Sequence, residues 1–380
     1  EVFLTFRMNE LHDVDKPGSP LLSRFWKDHP EYRVGGYEGW GASALNYAIP
    51  EVREYVFALL SEVCERYDPA GLELDFMRFP YYFPHQEDSM QSYAETMTAF
   101  VRRVREMLDR IERSRGTKLL LAARVPTSLR ACAYLGLDPA RWATEGFIDF
   151  LTVAPFLSTE TDIPVSEFQS ACEKIPVYTG IEYTIGTRQM TREEKRAAAA
   201  LLYDAGSDGI YLFNYFVAWD MGLQADMDVL RDLADPDSLA KRNKLYAHAI
   251  PRYPVPNVSL PSPMPLSLRP GENHSVTIRT NEPVRPKRIV LRVECAEDIV
   301  PGELIVSFNG ESLSDGAQAK SAMLFPQPVE YTPAPTSRSV EYQIDPRRLK
   351  EKENVLDLRA KKEVRVDWIY LGVWHEEAGR

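Results

Sequence analysis

The feature that most constrains the fold is an alternation of short apolar runs with amphipathic helical patterns over residues 1–250. Apolar runs of strand length are each followed by a segment in which apolar side chains recur at helical spacing. Strand–helix units that repeat every roughly 35–45 residues predict a parallel sheet with right-handed crossovers. The predicted strands cover residues 2–6, 72–76, 119–125, 147–156, 175–182 and 210–216.

Helical patterns occupy the segments between these strands. They cover residues 50–67, 92–115, part of 129–144, 165–174, 191–205 and 227–249. Thr191 is followed three residues later by Glu194, which is the spacing of a capping box at a helix start. A barrel of about 250 residues with a β-domain of about 120 accounts for the chain length.

A closed parallel barrel needs eight strands, and six are visible here. The sequence opens at Glu1 inside a strand-like run, with no Met and no signal sequence. We therefore expect the natural protein to extend upstream, with the visible strands being the third to the eighth of a (β/α)₈ barrel. A doubly wound open sheet is the alternative, although it usually carries a Gly-rich phosphate loop after its first strand, and this sequence has none.

The composition and the hydrophobic pattern of the sequence change after Tyr253. Seven prolines between residues 251 and 270 predict a stiff linker. Short alternating runs follow, separated by turn signals such as Asn309-Gly310 and Asp315-Gly316, and they predict a jelly-roll-like β-sandwich. The expected domains are a catalytic barrel over 1–250, a linker over 251–270 and a sandwich over 271–380.

Charge and motif content exclude several classes of function. A formal net charge of −11 with no basic block argues against nucleic acid as the partner, and no apolar run is long enough to predict a membrane span. The four Cys and six His form no metal-ligand spacing, and no Gly-x-Ser-x-Gly, His-Glu-x-x-His or phosphate-loop motif occurs. The sequence therefore predicts neither a metal nor a cofactor, and it leaves the oligomeric state open.

The predicted strand end with the most informative set of charged residues lies at residues 71–80. Because side chains alternate along a strand, Glu73 and Asp75 share one face, and the apolar residues between them point to the helices. Burying a carboxylate inside a barrel costs free energy unless the carboxylate is paired with a cation or takes part in the function. Arg78 is close enough in sequence to keep one of these two carboxylates ionised. A structural network of arginine and carboxylates is the alternative to an active site here.

The run Asp68-x-x-Gly71-Leu72-Glu73-Leu74-Asp75-Phe76-x-Arg78-Phe79-Pro80 resembles the fourth-strand signature of family-10-like glycoside hydrolases. Asp75, Arg78 and Pro80 match that pattern, whereas Ala70 stands where the family usually has Asp. Residues 207–215 resemble the closing strand of such barrels, so the resemblance covers about residues 1–220. It implies a (β/α)₈ barrel that acts on carbohydrate.

Glycoside hydrolysis requires two carboxyl groups that flank the scissile bond. We predict Asp75 as nucleophile or base and rank Glu182 first as its partner, followed by Glu160 and Glu10. The sequence does not decide between retention and inversion. A carbohydrate-binding barrel without turnover and a polysaccharide lyase or deacetylase on the same fold are the open alternatives.

Further polar and aromatic residues follow the predicted strands or lie in the loop after the first one. That loop is rich in Gly and aromatic residues, which favours a wall for sugar stacking, with a locally packed loop as the alternative. The residues predicted to bind substrate are Arg7, Asn9, Glu10, His12, Trp40, Glu73, Arg78, Arg124, Tyr183 and Asn214.

Overall fold

The computed structural model describes residues 2–84, 90–215, 226–327 and 333–375. The chain forms two compact units. The first contains Glu1–Phe156, Pro164–Thr179 and Val255–Ser259, and the second contains Leu157–Ile163, Gly180–Pro254 and Leu260–Arg380.

A six-stranded sheet accounts for all six strands expected between residues 1 and 216. In sheet order its strands are β1 (Phe3–Arg7), β2 (Gly71–Asp75), β3 (Leu120–Val125), β4 (Phe150–Val153), β5 (Val177–Ile181) and β8 (Gly209–Leu212), and β1 to β5 pair in parallel. Within the described residues the order is linear, so the sheet is a parallel half-barrel, and a closed barrel of eight strands is not confirmed. Strands β6 (Thr184–Ile185) and β7 (Arg188–Gln189) form a separate antiparallel pair.

The strand register sets the candidate site. Arg7 at the end of β1 lies opposite Asp75 at the end of β2, and Asp75 lies opposite Arg124 in β3. Parallel strands present their carboxyl ends at one edge of a sheet, and ligands bind there in folds of this class. The register therefore brings three charged side chains that are distant in sequence into one row.

The helices connect these strands. Residues 129–144, predicted to be helical in part, form two short helices, because Gly136, at φ +69°, and Pro139 separate them. The helices are α1 (Arg24–Asp28), α2 (Pro50–Arg66), α3 (Met90–Arg115), α4 (Leu129–Tyr134), α5 (Pro139–Thr144), α6 (Val165–Ala171), α7 (Arg192–Asp204), α8 (Val229–Leu233) and α9 (Pro236–Leu239). The described residues contain no helix with the length and apolarity of a membrane span.

The helix predicted over 227–249 is wrong. Only the short α8 and α9 form there, and Pro236 separates them because proline cannot continue a helix. Residues Lys244–Ala249 form strand β9, which runs antiparallel to the C-terminal strand β18 (Val364–Trp374). Long-range strand pairing thus overrides the local helical pattern.

The C-terminal part of the second unit contains two antiparallel sheets. One has the order β10-β18-β12-β16-β15, with β9 also on β18, and the other has the order β11-β17-β13-β14. The remaining strands are β10 (Leu266–Leu268), β11 (Asn273–Arg279), β12 (Arg288–Cys295), β13 (Leu304–Phe308), β14 (Glu311–Leu313), β15 (Ala317–Gln318), β16 (Ser339–Ile344) and β17 (Glu353–Ala360).

Inward-facing residues of both sheets form one buried apolar cluster that includes Leu291, Phe308, Leu356 and Ile369. Alternate residues of β17 are buried, as the period of two predicts. The Asn309-Gly310 turn joins β13 to β14 with positive φ at both residues, as its sequence predicts.

The Pro-rich segment is not uniformly exposed, since Val255, Val258 and Met264 are buried. Residues 255–259 belong to the first unit and its other residues to the second. The domain limits at 250 and 270 stay a prediction.

The capping box predicted at Thr191 is present. The Thr191 hydroxyl accepts from the Glu194 N–H at 3.1 Å, and the Glu194 carboxylate accepts from the Thr191 N–H at 2.8 Å. Both groups are buried, so they satisfy N–H donors that water does not reach.

Replacing Thr191 with Ala should therefore lower the free energy of unfolding by about 1 kcal/mol. Thr191→Ser keeps the hydroxyl and should stay close to wild type. Denaturant unfolding checks this, and a Thr191→Ala protein as stable as wild type would contradict the assignment of the cap.

Candidate active site

Asp75 is a buried residue at the carboxyl end of β2, in the part of the sheet that belongs to the first unit. Its side chain is 0% exposed and lies beside Arg124, which is 1% exposed, with the Arg124 Nη1 at 3.1 and 3.2 Å from the two carboxylate oxygens. Asp75 Oδ1 also accepts from the N–H groups of Met77 and Arg78, each at 2.9 Å. Arg124 Nη2 donates to the Pro155 carbonyl at 3.1 Å. Asp75 therefore fixes both the turn after β2 and the guanidinium of β3.

A second set of charged side chains lies at the ends of β1 and β2, which we call the rim cluster: Arg7, Glu10, His12 and Arg78. Arg7 Nη1 lies 2.5 Å from Glu10 Oε2, and Glu10 Oε1 contacts both His12 Nδ1 and the His12 N–H. Arg78 Nη2 lies 2.8 Å from His12 Nε2. The side chains of the first three residues are 32–38% exposed, so the rim cluster is accessible where Asp75 is not.

The contacts of the rim cluster set the direction of the pKa shift at Glu10. A guanidinium only donates, so the short contact between Arg78 and His12 Nε2 makes this nitrogen the acceptor. Burial raises the pKa of Glu10, but hydrogen bonds from the His12 N–H and Arg7 outweigh it, so the pKa lies below its ordinary value. Glu10 is therefore an ionised carboxylate at neutral pH, suited to a base or nucleophile and not to a proton donor.

Aromatic rings lie beside the rim cluster. Trp40 is 44% exposed, and its ring lies 5.4 Å from that of Phe79 and 6.1 Å from that of Phe156. The Phe79 ring also contacts His12 edge-on at 4.7 Å. Phe79 has φ +56°, an uncommon and strained conformation for a bulky residue, which is found mainly where the surrounding structure enforces it.

Two of the predicted binding residues are engaged with the protein itself. The Asn9 amide donates to the carbonyls of Leu45 and Tyr81 at 3.2 and 2.6 Å and accepts from the Leu45 N–H at 3.0 Å. Glu73 is 4% exposed and accepts from the Thr5 hydroxyl at 3.0 Å. This geometry favours structural roles for both residues, although their assignment as sugar contacts stays a prediction.

The remaining predicted residues belong to the second unit. Glu182 follows β5 and is buried, and its carbonyl accepts from the Thr159 hydroxyl at 3.1 Å. Tyr183 donates its hydroxyl to Gln189 at 2.6 Å, and burial raises its pKa. Asn214 follows β8 with φ +54°. The pairing of Asp75 with Glu182 stays a prediction.

Sequence reasoning missed the residues that line the rim cluster without carrying charge. Phe79 occurs in the signature run and Phe156 at the end of a predicted strand, but neither is among the residues predicted to bind substrate, and no pattern signals the positive φ of Phe79. It also missed Arg188 in β7, which is buried against Glu194. Arg188 lies in a polar stretch between two elements, where the sequence gives no sign of burial. The described residues contain no group of three or more His, Cys, Asp or Glu that could hold a metal ion.

No protein-family model matches this chain, and no curated protein matches it. Among solved structures it is similar to a β-porphyranase of glycoside hydrolase family 86 from the human gut bacterium Bacteroides plebeius. That likeness has 11% identity and a TM-score of 0.29 over 87% of this chain and 83% of that one.

It is also similar to the Ostrinia furnacalis Group II chitinase catalytic domain 2, at 16% identity and TM-score 0.29 over 48% of this chain and 56% of that one. A third similar structure is a glycoside hydrolase family 18 N-acetylglucosaminidase from Paenibacillus barengoltzii. Its sequence identity is 16% and its TM-score is 0.25, over 36% of this chain and 46% of that one. These TM-scores are too low to define the fold or activity of this chain. None of the three belongs to the family-10-like group, so that resemblance stays a prediction.

Asp75→Asn should lower the free energy of unfolding by about 3–5 kcal/mol, because it leaves the buried Arg124 guanidinium without its countercharge. The double variant Asp75→Leu with Arg124→Met removes both charges and should recover much of the loss. Denaturant unfolding of wild type, Asp75→Asn and the double variant measures this. Equal midpoints for wild type and Asp75→Asn would show that the ion pair does not stabilise this edge.

Proposed function

We propose that this protein is a glycoside hydrolase that binds its substrate over the rim cluster. The observation that carries the proposal is the exposed Trp40 ring on Phe79, which itself contacts His12 of the rim cluster, together with the partly exposed Glu10 carboxylate of that cluster at the carboxyl ends of parallel strands. Sugars present apolar ring faces and hydroxyl edges, so they match a flat aromatic surface flanked by charged hydrogen-bonding groups. Arg7 and His12 supply those groups next to Glu10.

Within this proposal Glu10 is the carboxylate that reaches the substrate. Its pKa is low and its side chain is about one-third exposed, so it is placed to attack an anomeric carbon or to activate water. Asp75 instead acts as a positioning residue, because its carboxylate is covered and accepts three donors. Its hydrogen bonds to the backbone of Met77 and Arg78 orient the segment that delivers Arg78 to His12.

The second carboxyl group that hydrolysis requires is proposed to be Glu182. Glu182 directly follows the last residue of β5, and Asp75 is the last residue of β2. In parallel barrels the carboxyl ends of the strands carry the active-site residues. This assignment rests on strand position. Glu182→Gln is its test, with loss of turnover as the expected result.

A carbohydrate-binding protein without turnover is the second candidate. It is favoured by the complete burial of Asp75, the residue in the sequence motif that suggested catalysis. Incubation of the wild type with a panel of glycans separates the two, since only a hydrolase releases new reducing ends. Products that absorb in the ultraviolet would indicate a lyase instead.

Glu10→Gln should reduce kcat/KM on the best substrate of that panel by about 10²–10⁴-fold, because the amide can neither accept a proton nor attack carbon. Glu38→Gln removes an exposed carboxylate on the neighbouring loop and is the matched control. Unfolding should show both variants as stable as wild type. Full activity of Glu10→Gln would show that Glu10 is not the reacting carboxylate.

Trp40→Ala should raise KM by about tenfold, equivalent to about 1.4 kcal/mol, because the substrate loses an apolar contact surface. Trp40→Phe keeps a smaller ring and should lie between Ala and wild type. Steady-state kinetics with both variants measures the effect. An unchanged KM in Trp40→Ala would place the substrate elsewhere.

A further inference from the structure

Arg188 ties the β6–β7 hairpin to the start of α7. It is 2% exposed, and its two terminal nitrogens donate to the two oxygens of Glu194 at 2.7 and 2.5 Å. The same carboxylate caps α7 through the Thr191 N–H, and Arg188 Nη1 also donates to the Gln189 carbonyl at 3.1 Å. One buried, bidentate ion pair thus joins a two-stranded hairpin to a helix terminus.

The guanidinium lies on aromatic rings of β18. Its central carbon is 4.8 Å from the ring centroid of Trp368 and 5.5 Å from that of Tyr370, and the two rings stack at 5.4 Å. The hairpin turn contacts the same tryptophan, because a Cβ added to Gly186 would approach the Trp368 ring to 2.7 Å. A planar cation over an aromatic face is a favourable contact that lysine does not reproduce.

The hairpin in turn holds Tyr183, the residue next to Glu182, which is proposed as the second carboxyl group. The Tyr183 hydroxyl donates to the Gln189 side chain at 2.6 Å, and the Met190 N–H donates to the Tyr183 carbonyl at 3.1 Å. On the other side, Thr159 binds the Glu182 carbonyl. A shift of the hairpin would therefore shift Glu182 and Tyr183 with it.

We propose that Arg188 and Trp368 are positioning residues for the reaction, through which a strand of the C-terminal β-sandwich sets the loop that carries Glu182. The inference rests on the proposed function, in which Glu182 takes part in hydrolysis. The β-sandwich then acts as a part of the catalytic apparatus and not only as a separate binding module. Small displacements of a reacting group cost large factors in rate, so the effect should fall on kcat.

The test compares two tryptophans of the same strand. Trp368 and Trp374 are 6% and 7% exposed, but Trp374 stacks on Phe325 and lies under Arg288, away from the hairpin. Trp368→Ala and Trp374→Ala therefore remove equal side chains at similar burial. Trp368→Leu, which keeps apolar bulk and loses the aromatic face, serves if the alanine variant does not fold.

Hydrogen exchange of the amides in residues 182–190 is measured in each full-length variant, together with kcat and KM. Exchange of this segment should rise at least about tenfold in the Trp368 variants and stay at the wild-type rate in Trp374→Ala. In the Trp368 variants kcat should fall about tenfold while KM changes less than about twofold, and Trp368→Phe should restore much of kcat.

Equal exchange of residues 182–190 in the Trp368 and Trp374 variants would overturn the inference, as would a change confined to KM. Failure of the proposed function would appear differently. A wild type that cleaves no glycan removes the kinetic readout, and the exchange comparison then decides by itself whether Trp368 holds the hairpin.

Discussion

The ion pair between Asp75 and Arg124 is the interaction on which the candidate site depends. Two charges in a buried position are tolerated only when they face each other and their remaining hydrogen-bonding capacity is used. Here the backbone N–H groups of Met77 and Arg78 and the Pro155 carbonyl take up part of that capacity. The pair therefore fixes the exits of three adjacent strands, and Arg78 leaves the turn in the direction that brings it to His12.

The sequence motif suggests that one carboxylate both stabilises the turn and reacts, whereas the structure offers a different carboxylate for each role. A carboxylate that stabilises a turn must be buried and fully hydrogen-bonded, whereas a carboxylate that reacts must be reached by its substrate. Asp75 meets the first requirement and Glu10 the second. Glu10 follows β1 by three residues in an irregular segment, where it accepts from the backbone N–H of His12 and from the side chain of Arg7 at the end of β1.

The second unit also contains a buried ion pair, which here joins a hairpin to a helix terminus. Arg188 and Glu194 form a buried pair whose cost is offset by bidentate geometry, by the capping box of α7 and by two aromatic rings. The pair couples a short hairpin, a helix terminus and a sandwich strand.

The sequence alone predicts the six strands of the first sheet, the capping box at Thr191 and the Asn309-Gly310 turn, because each follows from a pattern within a few residues. It also locates Asp75, Arg78 and Arg124 at strand ends. Only the tertiary structure shows that Lys244–Ala249 is a strand, that Phe79 adopts positive φ beside Trp40, and that Asp75 is buried while the Glu10 side chain is partly exposed. These outcomes depend on contacts between residues far apart in the sequence, such as Phe79 with Trp40, Arg124 with Asp75 and Val373 with Lys244, and local sequence carries no signal of such contacts.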